Sequence, residues 1–282
     1  MLSPLDSLHI LSFRILLSLV VVGIILLIKK NRVWLSVFRD SKIGPLMILA
    51  SLVLSFNWGF YIWAVNRGSA LEASLGYFIS PLVSVIMGMV FYRERLKALQ
   101  WAAVAFAFTG VLILTMLSGV LPWISLIIAF SFSFYGLLKK RNPITALESL
   151  GAETLISAPI GLLLFFFSSR GGSLFFSGVQ GLAYFGSLPF YAWIALPLVG
   201  LASAYPIYGF SEGAKLLPLS ALGFIQFISP SIQFFIALFI FKENFPVHNF
   251  AAFAFIWVAV IFYILSLKAP RGQPAPSPSR GK

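Results

Sequence analysis

From about residue 9 onward, the chain alternates between long apolar runs and short polar breaks. The runs lie near 9–28, 44–65, 70–91, 98–117, 120–138, 147–168, 190–210, 216–241 and 247–267. Each is long enough for a helix to cross roughly 30 Å of hydrocarbon. The pattern predicts an all-α integral membrane protein, a bundle of nine transmembrane helices. The stretch 169–189 begins Ser169-Arg170-Gly171-Gly172, is rich in Gly and Ser, and reads as a connecting loop. The tail 269–282 carries Pro, Ser, Gly and Arg with no apolar pattern to bury, and is expected to be disordered.

Composition supports the membrane reading. Hydrophobic residues make up 60% of the 282 positions and charged residues 10%, against about 45–50% and 25% in soluble domains. The net charge of +12 comes from short basic clusters between apolar runs, with no basic, aromatic-bearing face for nucleic acid. There are no cysteines, and the two histidines, His9 and His248, are far apart, so neither a metal nor another cofactor is expected. The first apolar run contains Arg14 and ends in Lys29-Lys30 without a small-residue cleavage site, so it is read as a retained span.

Basic residues set the orientation, because positive charge resists translocation. One side receives Lys29, Lys30, Arg32, Arg39, Lys42, Arg93, Arg95, Lys97, Lys139, Lys140, Arg141, Lys215, Lys268, Arg271, Arg280 and Lys282. The other receives Arg67, Arg170 and Lys242. The expectation is a bacterial inner-membrane protein with a cytoplasmic C-terminus and residue 1 outside.

The chain also matches itself. At an offset of 149, Phe78-Ile79-Ser80-Pro81 falls on Phe227-Ile228-Ser229-Pro230, Arg93-Glu94 on Lys242-Glu243, and Ala102-Ala103 on Ala251-Ala252. A weaker match at 139 sets Pro4 on Pro143, Leu8 on Leu147 and Arg14 on Glu153. Helices three and eight then correspond, and five steps between them means opposite directions through the membrane: an inverted repeat. The expected units are 1–120 and 121–268, arranged four plus five. The first helix of a five-plus-five fold would lie upstream of Met1.

Two stretches make the chain recognisable: Asn57-Trp58-Gly59-Phe60-Tyr61-Ile62-Trp63-Ala64-Val65-Asn66 and Leu71-Glu72-Ala73-Ser74-Leu75-Gly76-Tyr77-Phe78-Ile79-Ser80-Pro81-Leu82. Together with Ala129–Leu137, Leu222-Gly223-Phe224 and Phe253–Ala259, they resemble RarD-type permeases, an EamA-type branch of the drug/metabolite transporter superfamily. The resemblance covers nearly the whole chain. It implies ten helices in two inverted repeats, both termini cytoplasmic, and transport of small organic solutes or drugs; export is the expected direction here. Members are associated by name with chloramphenicol sensitivity.

An ionisable residue inside a span needs a partner or a water-filled cavity. Arg14, Glu72 and Glu153 are therefore gating or pathway candidates. Arg14 and Glu72 share the outer half and are expected to pair across an external gate, with Glu153 on the inner pathway. Glu148 reads as a helix cap, a role also open to Glu72. Pro81 and Pro230 mark helix breaks. Asn57, Trp58, Tyr61, Tyr77, Tyr205, Tyr208, Gln226 and Gln233 are substrate-cavity candidates, some of which would serve only as helix-packing contacts. Trp63, Asn66, Trp101 and Trp123 read as interfacial anchors or packing residues.

No nucleotide-binding loop is present, so transport would be facilitated or driven by a gradient, with a proton as the suggested coupling ion because Glu72 and Glu153 can titrate. No hydrolase or metalloprotease motif supports an enzyme. The expected partners are the lipid bilayer and a small-molecule solute. A non-transporting or truncated protein of the same fold is the alternative.

Overall fold

The computed structural model describes residues 7–118, 123–167, 190–240 and 247–268. The predicted loop 169–189 and tail 269–282 lie outside the described residues. Every regular element among the described residues is helical. The elements are α1 (Ser7–Ile28), α2 (Val33–Ser36), α3 (Ile43–Asn66), α4 (Ala70–Tyr92), α5 (Ala98–Ser118), α6 (Trp123–Arg141), α7 (Ala146–Phe167), α8 (Phe190–Leu216), α9 (Leu219–Gln226), α10 (Ile228–Phe239) and α11 (Val247–Lys268). Among the described residues, eight stretches are long and apolar enough to cross a membrane, one of them running from α9 into α10. The 27-residue α8 is a further long helix.

Two elements depart from the sequence pattern. The polar break after the first span is structured: α2 and a 3₁₀ turn, Val37–Arg39, bury Trp34 and Val37. The Asp40 carboxylate then accepts the backbone N–H groups of Lys42 and Ile43 at 2.8 and 2.9 Å. These bonds hold its pKa below the ordinary carboxylate value. The second departure is the predicted span 216–241, which divides at Phe227. Pro230 has no N–H to give the carbonyl of Gln226 four residues back, and its ring crowds that group. The Phe227 N–H turns instead to the Phe224 carbonyl, three residues back, at 3.2 Å. Pro81, its counterpart at the 149 offset, lies inside a continuous α4.

Two large apolar cores organise the bundle, with a smaller cluster of Ala64, Ala73, Ile124 and Ile128 beside them. One gathers α4, α5, α9 and α11 around Val85, Ala107, Leu222 and Ile256. The other gathers α1, α3, α7 and α8, with the C-terminal half of α6, around Leu26, Met47, Tyr135 and Ala204. Helices pack most extensively in the pairs α5–α11, α4–α6, α1–α7 and α4–α9. Small residues allow the close approaches that helix association in lipid depends on. A Cβ added at Gly110 of α5 would sit 2.8 Å from the Ala252 carbonyl oxygen of α11, and one at Gly223 of α9 would sit 2.6 Å from that of Pro81.

Candidate functional site

The polar chemistry of the second core begins with helical spacing. On α7, Ser149, Glu153 and Ser157 recur every four residues; on α6, Ser131, Tyr135 and Lys139 do the same. Residues four apart share one helix face, and the two faces meet at Glu153. Lys139 Nζ is 2.7 Å from Glu153 Oε1, with side chains 0% and 2% exposed. Tyr135 donates its hydroxyl to Glu153 Oε2 at 2.8 Å, and Ser149 donates to Oε1 at 3.0 Å. Lys139 also donates to Ser149 at 2.6 Å, and Asn142 donates to the same hydroxyl at 2.8 Å. Helix α3 closes the group, with Ser51 bonded to the Glu153 carbonyl and to Ser157.

Lys139 therefore corrects the charge map. Read as one of three consecutive loop cations, it is instead fully buried in α6 and is the ion-pair partner of Glu153. The signal in the sequence was the pair Tyr135 and Lys139 one turn apart, close before a helix carrying an acid with serines on its own face.

A cavity opens beside this network between α1, α3, α7 and α8. Its lining includes Ser18, Trp58, Glu153, Ser157 and Ser203. Arg14 stands next to it: its Nε donates to Ser203 Oγ at 3.2 Å, and its guanidinium carbon lies 5.1 Å from the centroid of the Trp58 ring. Tyr77 lies within electrostatic reach of Arg14, and its ring is 5.5 Å from that of Tyr61.

Arg14 and Glu72 are not joined by an ion pair among the described residues, where Lys139–Glu153 is the salt bridge found. The Glu72 backbone carbonyl receives the Ser125 hydroxyl at 2.5 Å, while the Glu72 Oε2 is buried with no hydrogen-bond partner. Glu148 does cap its helix: Thr145 N–H donates to its carboxylate at 2.9 Å and its own N–H returns to Thr145 Oγ1 at 3.3 Å, a capping box.

The remaining candidates scatter. Asn57 is 1% exposed, and its amide bonds the Ile128 carbonyl and Ser131 at 2.9 and 2.8 Å, so it joins α3 to α6. Tyr205 is 70% exposed on α8, whereas Tyr208 packs against the second core. Gln226 Nε2, at the end of α9, is buried without a partner. Pro230 is buried beyond the break. The Gln233 side chain lies outside the described residues. Trp63 and Trp123 form an aromatic group with Phe60, and Arg67 covers Trp63 at 4.8 Å.

In the sequence Glu94 stands out only as part of the repeat, but it has a structural task. Arg93 ends α4 in the left-handed conformation, at φ 52°. The following Glu94 then reaches the start of α9, accepting the N–H groups of Leu219 and Ser220 at 2.7 and 3.0 Å. A carboxylate at a helix N-terminus satisfies otherwise orphaned donors and opposes the positive end of the dipole.

The sequence model of the EamA-like transporter family matches residues 1–116. Protein RarD of Streptomyces exfoliatus is 39% identical over 93% of this chain and 80% of its own. A transporter of Bacillus subtilis, YojE, is 40% identical over 94% of this chain and 87% of its own. A solved crystal structure 16% identical superposes with a TM-score of 0.67, covering 94% of this chain and 89% of that one, and so shares the fold. With relatives this similar along nearly its whole length, the chain belongs to the RarD-type branch of the EamA-like transporters, multi-pass proteins of the membrane.

Proposed function

We propose that this protein exports small organic solutes by alternating access, along a route that includes the cavity between α1, α3, α7 and α8. The observation that carries this reading is the convergence there of two ionisable centres, the half-buried Arg14 with Ser203 and the fully buried Glu153–Lys139 pair, beside Trp58. Charge inside a span is costly, and its usual use is on a solute or ion pathway. Glu153 is the group proposed to accept a coupling proton, since it borders the cavity and its pairing with Lys139 depends on its charge.

The inverted repeat belongs to the same reading. The offset of 139 carries Ser7–Ile28 onto 146–167, and 149 carries α4 and α5 onto the α9–α10 stretch and α11. These corresponding helices are packed against each other, α1 on α7, α4 on α9 and α5 on α11, as expected when two halves are related by an axis in the membrane plane. Nine spans, with α8 among them, and a cytoplasmic C-terminus complete the proposed topology.

The test is flux through proteoliposomes loaded with organic solutes, with and without an imposed proton gradient. The reading predicts flux above that of protein-free liposomes, accelerated by the gradient and reduced by Glu153→Gln. Flux no greater than in protein-free liposomes over a broad solute panel would contradict it.

A further inference from the structure

We propose that the transported solute carries a carboxylate and that Arg14 receives it; this rests on the transport reading above. Two cations inside the bundle differ in their partners: Lys139 is fully buried and Arg14 half-buried. Lys139 has an acid at 2.7 Å and a hydroxyl at 2.6 Å. Arg14 has the Ser203 hydroxyl on its Nε and the face of Trp58, and no carboxylate within 4.0 Å among the described residues. A guanidinium carries five N–H donors in a rigid fork. The Ser203 bond uses one, and no acceptor among the described residues is set against the two Nη groups.

The charges around the cavity follow. Glu153 is neutralised by Lys139 and is further engaged by Tyr135 and Ser149. The Glu72 carboxylate is not joined to Arg14. Beside the cavity, Arg14 is thus a charged group with no opposite charge bonded to it among the described residues. A neutral solute would leave it uncompensated and a cationic one would add to it. A carboxylate would take the fork in a bidentate pair, the geometry in which arginine binds strongly. Trp58 and the Tyr61–Tyr77 pair, clustered near the guanidinium, supply an aromatic surface for the apolar body of such a solute.

The experiment uses three ligands of one shape and different charge: phenylacetate, phenylacetamide and phenethylamine. Purified full-length protein in detergent is titrated with each at constant ionic strength, following thermal unfolding, and uptake of labelled phenylacetate is measured in proteoliposomes against protein-free ones. The expected result is stabilisation by phenylacetate well beyond the other two. Apparent affinity for it falls about tenfold to a hundredfold in Arg14→Gln, and less in Arg14→Lys, which keeps the charge and loses the fork. The unliganded melting temperature of each variant separates a folding defect from lost binding. Equal stabilisation by all three ligands, none by phenylacetate, or an unchanged affinity in Arg14→Gln overturns the carboxylate assignment. Arg14-dependent binding of phenylacetate without uptake overturns the transport reading and leaves the assignment standing.

Discussion

Lys139 on α6 and Glu153 on α7 form a buried ion pair at 2.7 Å, and each makes further hydrogen bonds, Lys139 to Ser149 and Glu153 to Tyr135 and Ser149. Such a pair contributes little net stability against a well-packed apolar replacement, but removing one partner strands a buried charge at a cost of about 3–5 kcal/mol.

Lys139→Met and Glu153→Leu are each expected to lower the thermal stability of the detergent-solubilised protein strongly. The double variant should recover most of the loss. A double-mutant cycle built on melting measurements reads the coupling directly; additive losses would mean the two side chains act independently.

At the other core, Glu94→Ala should destabilise the start of α9 by about 1–2 kcal/mol, the usual size for the loss of a capping side chain. Gly88→Ala should produce a related defect, because a Cβ there would lie 2.7 Å from Glu94 Oε2. In hydrogen exchange the amides of Leu219 and Ser220 should lose protection in both variants. Unchanged protection would show that the carboxylate does not hold them.

Much of this architecture is legible in the sequence, and the failures have identifiable causes. Length and apolarity locate eight of the predicted spans among the described residues, since lipid demands them. The burial of Lys139 is hidden because it adjoins Lys140 and Arg141, and a basic cluster at a helix end looks like a loop until the neighbouring helix supplies an acid. Arg14 and Glu72 are not paired in the structure, because depth in the membrane says nothing about direction around a helix; Arg14 lies against Ser203 and Trp58. Pro81 and Pro230 are equivalent as letters, yet only the Pro230 helix divides. Trp34 and the α2 segment are missed because four residues are too few to show a period.

The divided helix gives a third prediction. Pro230→Ala restores an N–H for the Gln226 carbonyl and removes the ring that crowds it, so it should extend α9 through Phe227 at little cost to stability. If the break serves motion, solute flux should fall several-fold while the melting temperature holds or rises. Full flux with an extended helix would make the break dispensable.

Close packing supplies a fourth. Gly110→Val should separate α5 from α11, because the added Cβ meets the Ala252 carbonyl oxygen at 2.8 Å and the Ile256 side chain at 2.9 Å. Overpacking costs typically about 1–3 kcal/mol, so the variant should melt markedly lower than wild type, with Gly110→Ala between them.

The most direct test of a solute route between α1, α3, α7 and α8 exploits the absence of cysteine from the chain. Ser203→Cys introduces a single thiol at the cavity, to be probed with a membrane-impermeant thiol reagent in right-side-out and inside-out vesicles. The account predicts labelling from both faces, slowed by saturating solute, and loss of flux once the thiol is modified. A thiol unreactive from either face, or one modified with flux intact, would contradict it.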